Sequence, residues 1–237
     1  MNARSCTVRF VEPNEVDEVL RYYEETDDEN NIGRGAEELR RAARDHLLFG
    51  VYDGGTPSGV AGAFWLPEDG DDLSENHMEL GGTHLLEAMQ GVGLQKRLLI
   101  PLRLASAIVL HPPNEGLWSA VKPENIASRM SVENNGFEES TDPPECLFDP
   151  CVACKTPPES ESDRRCCCDM WTLGRAGAQM AMEQLLQTVD GSGRARLEKG
   201  GKELSVDCSA IHVVTQGAHR GALTDFIEGK VVPRPWA

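Results

Sequence analysis

The stretch Gln90-Gly91-Val92-Gly93-Leu94-Gln95 has the residue types needed to hold a phosphate. It follows an expected strand, His77–Leu86, and opens an expected helix, Leu94–Leu110. Two glycines at such a junction let the backbone approach a ligand with no Cβ in the way. The first amides of the helix have no intrahelical acceptor and sit at the positive end of its dipole, which suits an anion. A loop that merely starts the helix satisfies the same pattern. Two other phosphate loops do not fit. A P-loop ends in Gly-Lys-Ser/Thr, which is missing here, and a dinucleotide fingerprint needs a third glycine where the chain has Lys96.

A second segment lies about one helix downstream. It reads Leu117-Trp118-Ser119-Ala120-Val121, then Asn125-Ile126-Ala127-Ser128, and ends in Gly136-Phe137-Glu138. Together and in this order, the two segments resemble the GNAT superfamily of N-acetyltransferases over about residues 7–173. The resemblance implies an α/β fold: a mixed, mostly antiparallel sheet with one splayed parallel strand pair, flanked by helices. It also implies acetyl-CoA as cosubstrate and transfer of its acetyl group to a primary amine, on a cationic small molecule or a protein N-terminus. In that frame the amides of Gln90, Gly91, Val92, Gly93, Leu94 and Gln95 hold the pyrophosphate. Strand amides at Leu85 and Leu86 polarise the thioester carbonyl, and Asn125 and Ser128 flank the cosubstrate from the next helix.

Two positions depart from the family pattern. Gln95 stands where the family has Gly or Ala. Val132 stands where many members carry a Tyr that protonates the departing thiolate, and Val has no proton to give. A non-catalytic acyl-CoA-binding regulatory or scaffold module is therefore the alternative reading. Ser128 and Ser131 are nearby on the same helix. A base must take the ammonium proton, because only the neutral amine is nucleophilic. Glu79 and His84, on the strand before the turn, are the candidates. Strict alternation puts them on opposite faces, and a bulge at Gly81-Gly82 reverses that. Asn125 is equally a helix cap, and Trp118 and Phe137 read as core.

Eight cysteines suggest a second chemistry, and six of them fall within Cys146–Cys168. Cys151 and Cys154 have two-residue ligand spacing. Cys166 and Cys168 share a face if their segment is a strand. Four such thiolates form a closed, structural zinc site, although the second pair is Cys-x-Cys rather than Cys-x-x-Cys. Buried free thiols are the alternative. No secretory signal is visible, so reduced thiols and a cytoplasmic location are expected.

The elements that must position these residues can be read from periodicity. Thr7–Val11 reads as a strand. Asn14 caps a helix with Val16, Val19, Leu20 and Tyr23 on one face, and the acidic run Glu24–Glu29 ends it in a loop. Ala36–Asp45 is a second helix. Leu47–Tyr52 and Val60–Leu66 flank the turn Asp53-Gly54-Gly55, and Pro67–Glu75 is an acidic hairpin tip. Pro101 should kink the helix after the glycine turn. Glu124–Asn134 is the next helix. Glu145–Ala153 and Cys166–Leu173 form a closing antiparallel pair.

Residues 1–173 form the expected main domain. Residues 174–237 are an extension whose role is packing, dimerisation or partner contact. Within it, Gly177–Val189 is a helix, and Arg194–Leu197 with Glu203–Val206 a hairpin. The net charge is −16, and the extension holds 8 Lys and Arg against 7 Asp and Glu, so the acidity lies in the main domain. That balance argues against nucleic acid as a partner and permits a cationic acceptor. The longest apolar stretch, Leu98–Leu110, is too short to span a bilayer.

Overall fold

A computed structural model describes residues 4–26, 34–67, 73–140, 168–234 and 236. The strands are β1 (Arg4–Phe10), β2 (Leu48–Asp53), β3 (Thr56–Pro67), β4 (Leu73–Leu85), β5 (Gly116–Val121), β6 (Phe137–Glu139), β7 (Asp169–Leu173), β8 (Arg194–Lys199) and β9 (Lys202–Asp207). The helices are α1 (Val16–Thr26), α2 (Ala36–Arg44), α3 (Ile100–Leu110), α4 (Ile126–Glu133), α5 (Arg175–Thr188), α6 (His212–Thr215) and α7 (Gly217–Ile227). One sheet joins all nine strands in the order β6-β7-β5-β4-β3-β2-β1-β9-β8. Two of its pairings, β4 with β5 and β1 with β9, are parallel. This is a mixed, mostly antiparallel α/β architecture.

Burial follows the periods expected of each element. β2 lies in the middle of the sheet and is buried along nearly its whole length. β8, at the edge, alternates, with Ala195 and Leu197 turned inward. α3 is buried almost all round, which is why its sequence carries a near-continuous apolar run. Along α1, Val16, Val19 and Tyr22 face the core, with Leu20 and Tyr23 packed beside them.

Several boundaries differ from the sequence reading. β1 begins three residues before Thr7, because Arg4–Thr7 pairs with β9. Asn14 does not cap α1; it lies inside a 3-10 turn, Pro13–Glu15, that Glu12 and Glu15 close reciprocally. Glu24 and Glu25 belong to α1 itself, while residues 27–29 lie outside the described residues, as do residues 68–72 of the acidic hairpin tip. The expected strand partner at 145–153 also lies outside them. The described partners of β7 are β5 and β6, and the short β6 directly follows Gly136.

Residues 174–237 continue the main sheet and its core. β9 adds to the edge of β1, and α5 packs on α3. In α5 the buried face is Ala178, Ala181, Met182 and Leu185, whereas Met180 turns outward. Small residues face inward because α5 starts against backbone. A Cβ built at Gly177 lies 2.8 Å from the Gly136 carbonyl carbon and 2.9 Å from its Cα.

Gly177→Ala tests that contact, because two effects of opposite sign compete. Ala in place of Gly in a helix gains about 0.5–1 kcal/mol, and overpacking against rigid backbone costs about 1–3 kcal/mol. The clash should win, so urea denaturation should show a net loss of stability and a lower Tm. A stabilised variant would mean that α5 does not rest on Gly136.

Candidate functional site

The parallel ladder between β4 and β5 is short. It pairs His77–Glu79 with Gly116–Trp118 and stops there. Beyond that point β4 carries a bulge. Val60 pairs with His84 but Gly62 pairs with Gly81, so β4 spends one residue more than β3 over the same span. Gly82 supplies the bend, with φ of +56°, a conformation that costs glycine little.

Three side chains donate into the break. Arg103 Nη1 donates to the carbonyls of Gly62 and Gly81, each at 3.1 Å, and Nε donates to Leu99. Tyr23 Oη donates to the Gly82 carbonyl. Ser119 Oγ donates across the opening to the Leu80 carbonyl at 2.9 Å. Arg103 is only 2 % exposed. Burial lowers its pKa to about 10, so it remains charged at neutral pH. In the sequence this residue is a lone charge inside an apolar run. A buried charge needs partners, and that was the available signal for its role.

The bulge turns Glu79 and His84 to one face, since their β3 partners, Phe64 and Val60, are four residues apart. Their surroundings differ. Glu79 is 2 % exposed, and its Oε2 lies 2.8 Å from Arg34 Nη2. Arg34 also reaches Glu38 at 2.8 Å and lies over the Phe64 ring at 4.5 Å. Burial opposes the Arg34 charge, but Glu79 and Glu38 outweigh it and raise its pKa. Sequence reasoning missed Arg34, which has no motif around it. His84 is also largely buried, edge-on to the Tyr22 ring, and opens onto the groove described below.

At the glycine turn, Gly91 and Gly93 have φ of +83° and +85°. Gln90 Nε2 donates back to the Leu85 carbonyl at 2.7 Å, so this side chain closes the turn. Val92 and Leu94 bury their side chains in the core, leaving only backbone for a ligand. The Leu86 N–H donates to the Ser58 carbonyl, so the expectation that it polarises a ligand is corrected. Alternation turns the Leu85 N–H to the opposite edge, toward the split.

Gln95 starts a π turn, Gln95–Leu99, in which the Ile100 N–H reaches back to the Gln95 carbonyl. That turn changes the expected effect of Pro101, which falls in the first turn of α3 instead of interrupting it. Continuing the π pattern would give the Lys96 carbonyl the missing N–H of Pro101. Asn135 Nδ2 takes that place at 2.9 Å.

Across from the turn, Asn125 caps α4 by accepting the Ser128 N–H at 3.1 Å. Between them runs a groove of about 470 Å³, lined by His84, Leu85, the glycine turn, Asn125 and Ser128. It adjoins a smaller cavity of about 60 Å³ in the split itself, which Glu79, Arg103, Ser119 and Val132 line. Val132 is 4 % exposed, and the Ser131 hydroxyl is spent on the Ala127 carbonyl. Phe137 is core, whereas Trp118 is half-buried and donates from Nε1 to His77 Nδ1.

Of the proposed zinc ligands, Cys151, Cys154 and Cys166 lie outside the described residues, and Cys168 is buried at the start of the segment leading into β7. Among the described residues no group of three or more His, Cys, Asp or Glu is arranged to hold a metal. No helix among them is long and apolar enough to cross a membrane.

The Arg34–Glu79 pair can be tested apart from any activity. Arg34→Met leaves a buried carboxylate without its partner, which should cost about 3–5 kcal/mol of stability. Adding Glu79→Gln should restore most of that loss. Denaturant unfolding of both single variants and the double reads the coupling, and purely additive losses would mean the pair is not a unit.

No protein-family model and no curated protein matches the chain. Among solved structures, it is similar to diaminobutyrate acetyltransferase EctA from Paenibacillus lautus, at 13 % identity and TM-score 0.50, over 73 % of this chain and 96 % of that one. A GNAT-family acetyltransferase from Streptococcus pneumoniae matches at 14 % identity and TM-score 0.45, over 71 % and 99 %. A putative acetyltransferase from Salmonella typhimurium, solved with acetyl-CoA, matches at 15 % identity and TM-score 0.46, over 72 % and 92 %. At these identities the likeness concerns architecture, and with the short parallel pair, the bulge and the glycine turn in place, the chain has the fold of the GNAT acetyltransferases.

Proposed function

We propose that this protein is an acetyl-CoA-dependent N-acetyltransferase acting on a primary amine. The observation that carries the reading is the hydrogen-bonding state of the split. Arg103, Tyr23 and Ser119 donate to the carbonyls of Gly62, Gly81, Gly82 and Leu80. With those acceptors occupied, the backbone there can offer donors, which suits an acyl carbonyl oxygen rather than a cation. The similar diaminobutyrate acetyltransferase, solved with L-2,4-diaminobutyric acid and coenzyme A, is consistent with this chemistry.

The fit to acetyl-CoA rests on the turn. Gly91 and Gly93 leave open a cradle that side chains would fill, and amides at the start of a helical turn suit a pyrophosphate. When bound, acetyl-CoA supplies an activated acetyl group as a thioester. The Leu85 N–H is the donor to its carbonyl oxygen. His84 takes the proton from the acceptor ammonium, because it opens onto the groove, while the Glu79 carboxylate is committed to Arg34. Val132 leaves the thiolate without a tyrosine acid. A thiolate with a pKa of about 8.5 can leave near neutral pH without one. The acceptor is an amine of a small molecule or peptide, and the acidic main domain favours a cationic one.

The same Val132 favours one second reading, an acyl-CoA-binding module that does not turn over. Release of free CoA thiol from acetyl-CoA, in the presence of polyamines, aminoglycosides, amino acids and peptides, separates the two. The enzyme reading expects amine-dependent release. It expects His84→Gln to lower kcat by about 10²-fold or more. Gly93→Asp, which places a carboxylate against the pyrophosphate cradle, should abolish saturation by acetyl-CoA. Binding of acetyl-CoA with no release across the whole panel would favour the module.

A further inference from the structure

The extension reaches the glycine turn. β9 lies parallel to the start of β1, with Arg4 opposite Leu204 and Ser5 opposite Ser205. Arg4 Nη1 in turn donates at 2.6 Å to the carbonyl of Ala88, two residues before Gln90. That register carries the tip of the β8–β9 hairpin to the mouth of the groove. The tip is Lys199-Gly200-Gly201-Lys202, and both glycines have positive φ, at +59° and +76°. Lys202 Nζ lies 3.6 Å from the point where a Cβ on Gly91 would stand. Lys199 lines the groove together with Gly91, Gly93 and Lys96.

The two lysines are unusual in their setting. They pair directly across the hairpin, and like charges so placed repel. Both are exposed, and neither makes an ion pair among the described residues. Further along the same hairpin Arg196 is matched to Glu203 at 2.8 Å, and Glu198 stands opposite Glu203 next to the tip. Residues 1–173 hold 32 Asp and Glu against 15 Lys and Arg. A polyanion approaching that domain meets net repulsion, and the tip offers positive charge beside the turn meant to receive it.

We propose that Lys199 and Lys202 form a cationic clamp on the phosphates of CoA, so that residues 174–237 complete the cosubstrate site. The proposal rests on the acetyl-CoA reading above and adds a second part of the chain to the site. The ammonium groups act as mobile point charges over the pyrophosphate face of the Gly91 turn. The two glycines of the tip let them move toward a bound phosphate.

Calorimetric titration of the full chain with CoA, and separately with pantetheine, which has no phosphate, tests it. Lys199→Gln with Lys202→Gln changes two exposed residues at a hairpin tip and should leave the thermal unfolding profile intact. The double variant should bind CoA about tenfold more weakly than the parent, with a shallower salt dependence, and should bind pantetheine as the parent does. Equal CoA affinity and equal salt slopes in parent and variant would overturn the clamp while leaving the acetyl-CoA reading standing. A matching loss for pantetheine would also overturn it, since the effect would then be structural. Failure of the parent to bind CoA at all would remove the acetyl-CoA reading, and the clamp with it.

Discussion

The fold depends on one broken ladder. A parallel pair between β4 and β5 that ran to the end of both strands would consume every backbone group along the seam. Here pairing stops after Glu79 and Trp118, and Gly82 bends β4 away. Such a break inside a core is costly unless the freed groups find partners. Arg103 answers most of that cost, with one buried guanidinium donating to Gly62 and Gly81 on adjacent strands and to Leu99 on its own helix. Tyr23 from α1 and Ser119 from β5 complete the set. The opening is thus held from three directions, and each of its carbonyls at Gly62, Leu80, Gly81 and Gly82 already accepts a hydrogen bond.

A second consequence follows from the length of the extension. In sequence, residues 174–237 look like an appendage, but β9 extends the sheet at β1 and the Gly136–Gly177 contact seats α5 against the end of the family-like segment. The Gly136–Gly177 contact leaves no room for a side chain, and the β1–β9 register seats the hairpin beside the groove. The extension is the part of the chain with no excess of acid, and it carries positive charge to the groove mouth.

The sequence made much of this legible. The two glycines at 91 and 93, the Asn125 cap and the bulge at Gly81-Gly82 each follow from a residue type with a local preference. What it hid was long-range. The pairing of Glu79 with Arg34 joins residues 45 positions apart, and no local pattern announces it. The π turn before Pro101 depends on Asn135 arriving from the turn after α4. The spent Leu86 amide depends on where β3 ends relative to β4. The approach of Lys202 to Gly91 depends on a parallel pairing between the two ends of the chain. Periodicity describes one element at a time, and all four of these features belong to pairs of elements.

The proposed function turns on the groove between the glycine turn and α4 receiving CoA through backbone amides. Amide hydrogen exchange of the full chain, with and without saturating acetyl-CoA, reads those amides directly. Exchange should slow at Leu85 and from Gly91 to Gln95, with little change at β2 and β3. Unchanged exchange over Gly91–Gln95 at ligand concentrations that saturate binding would contradict it.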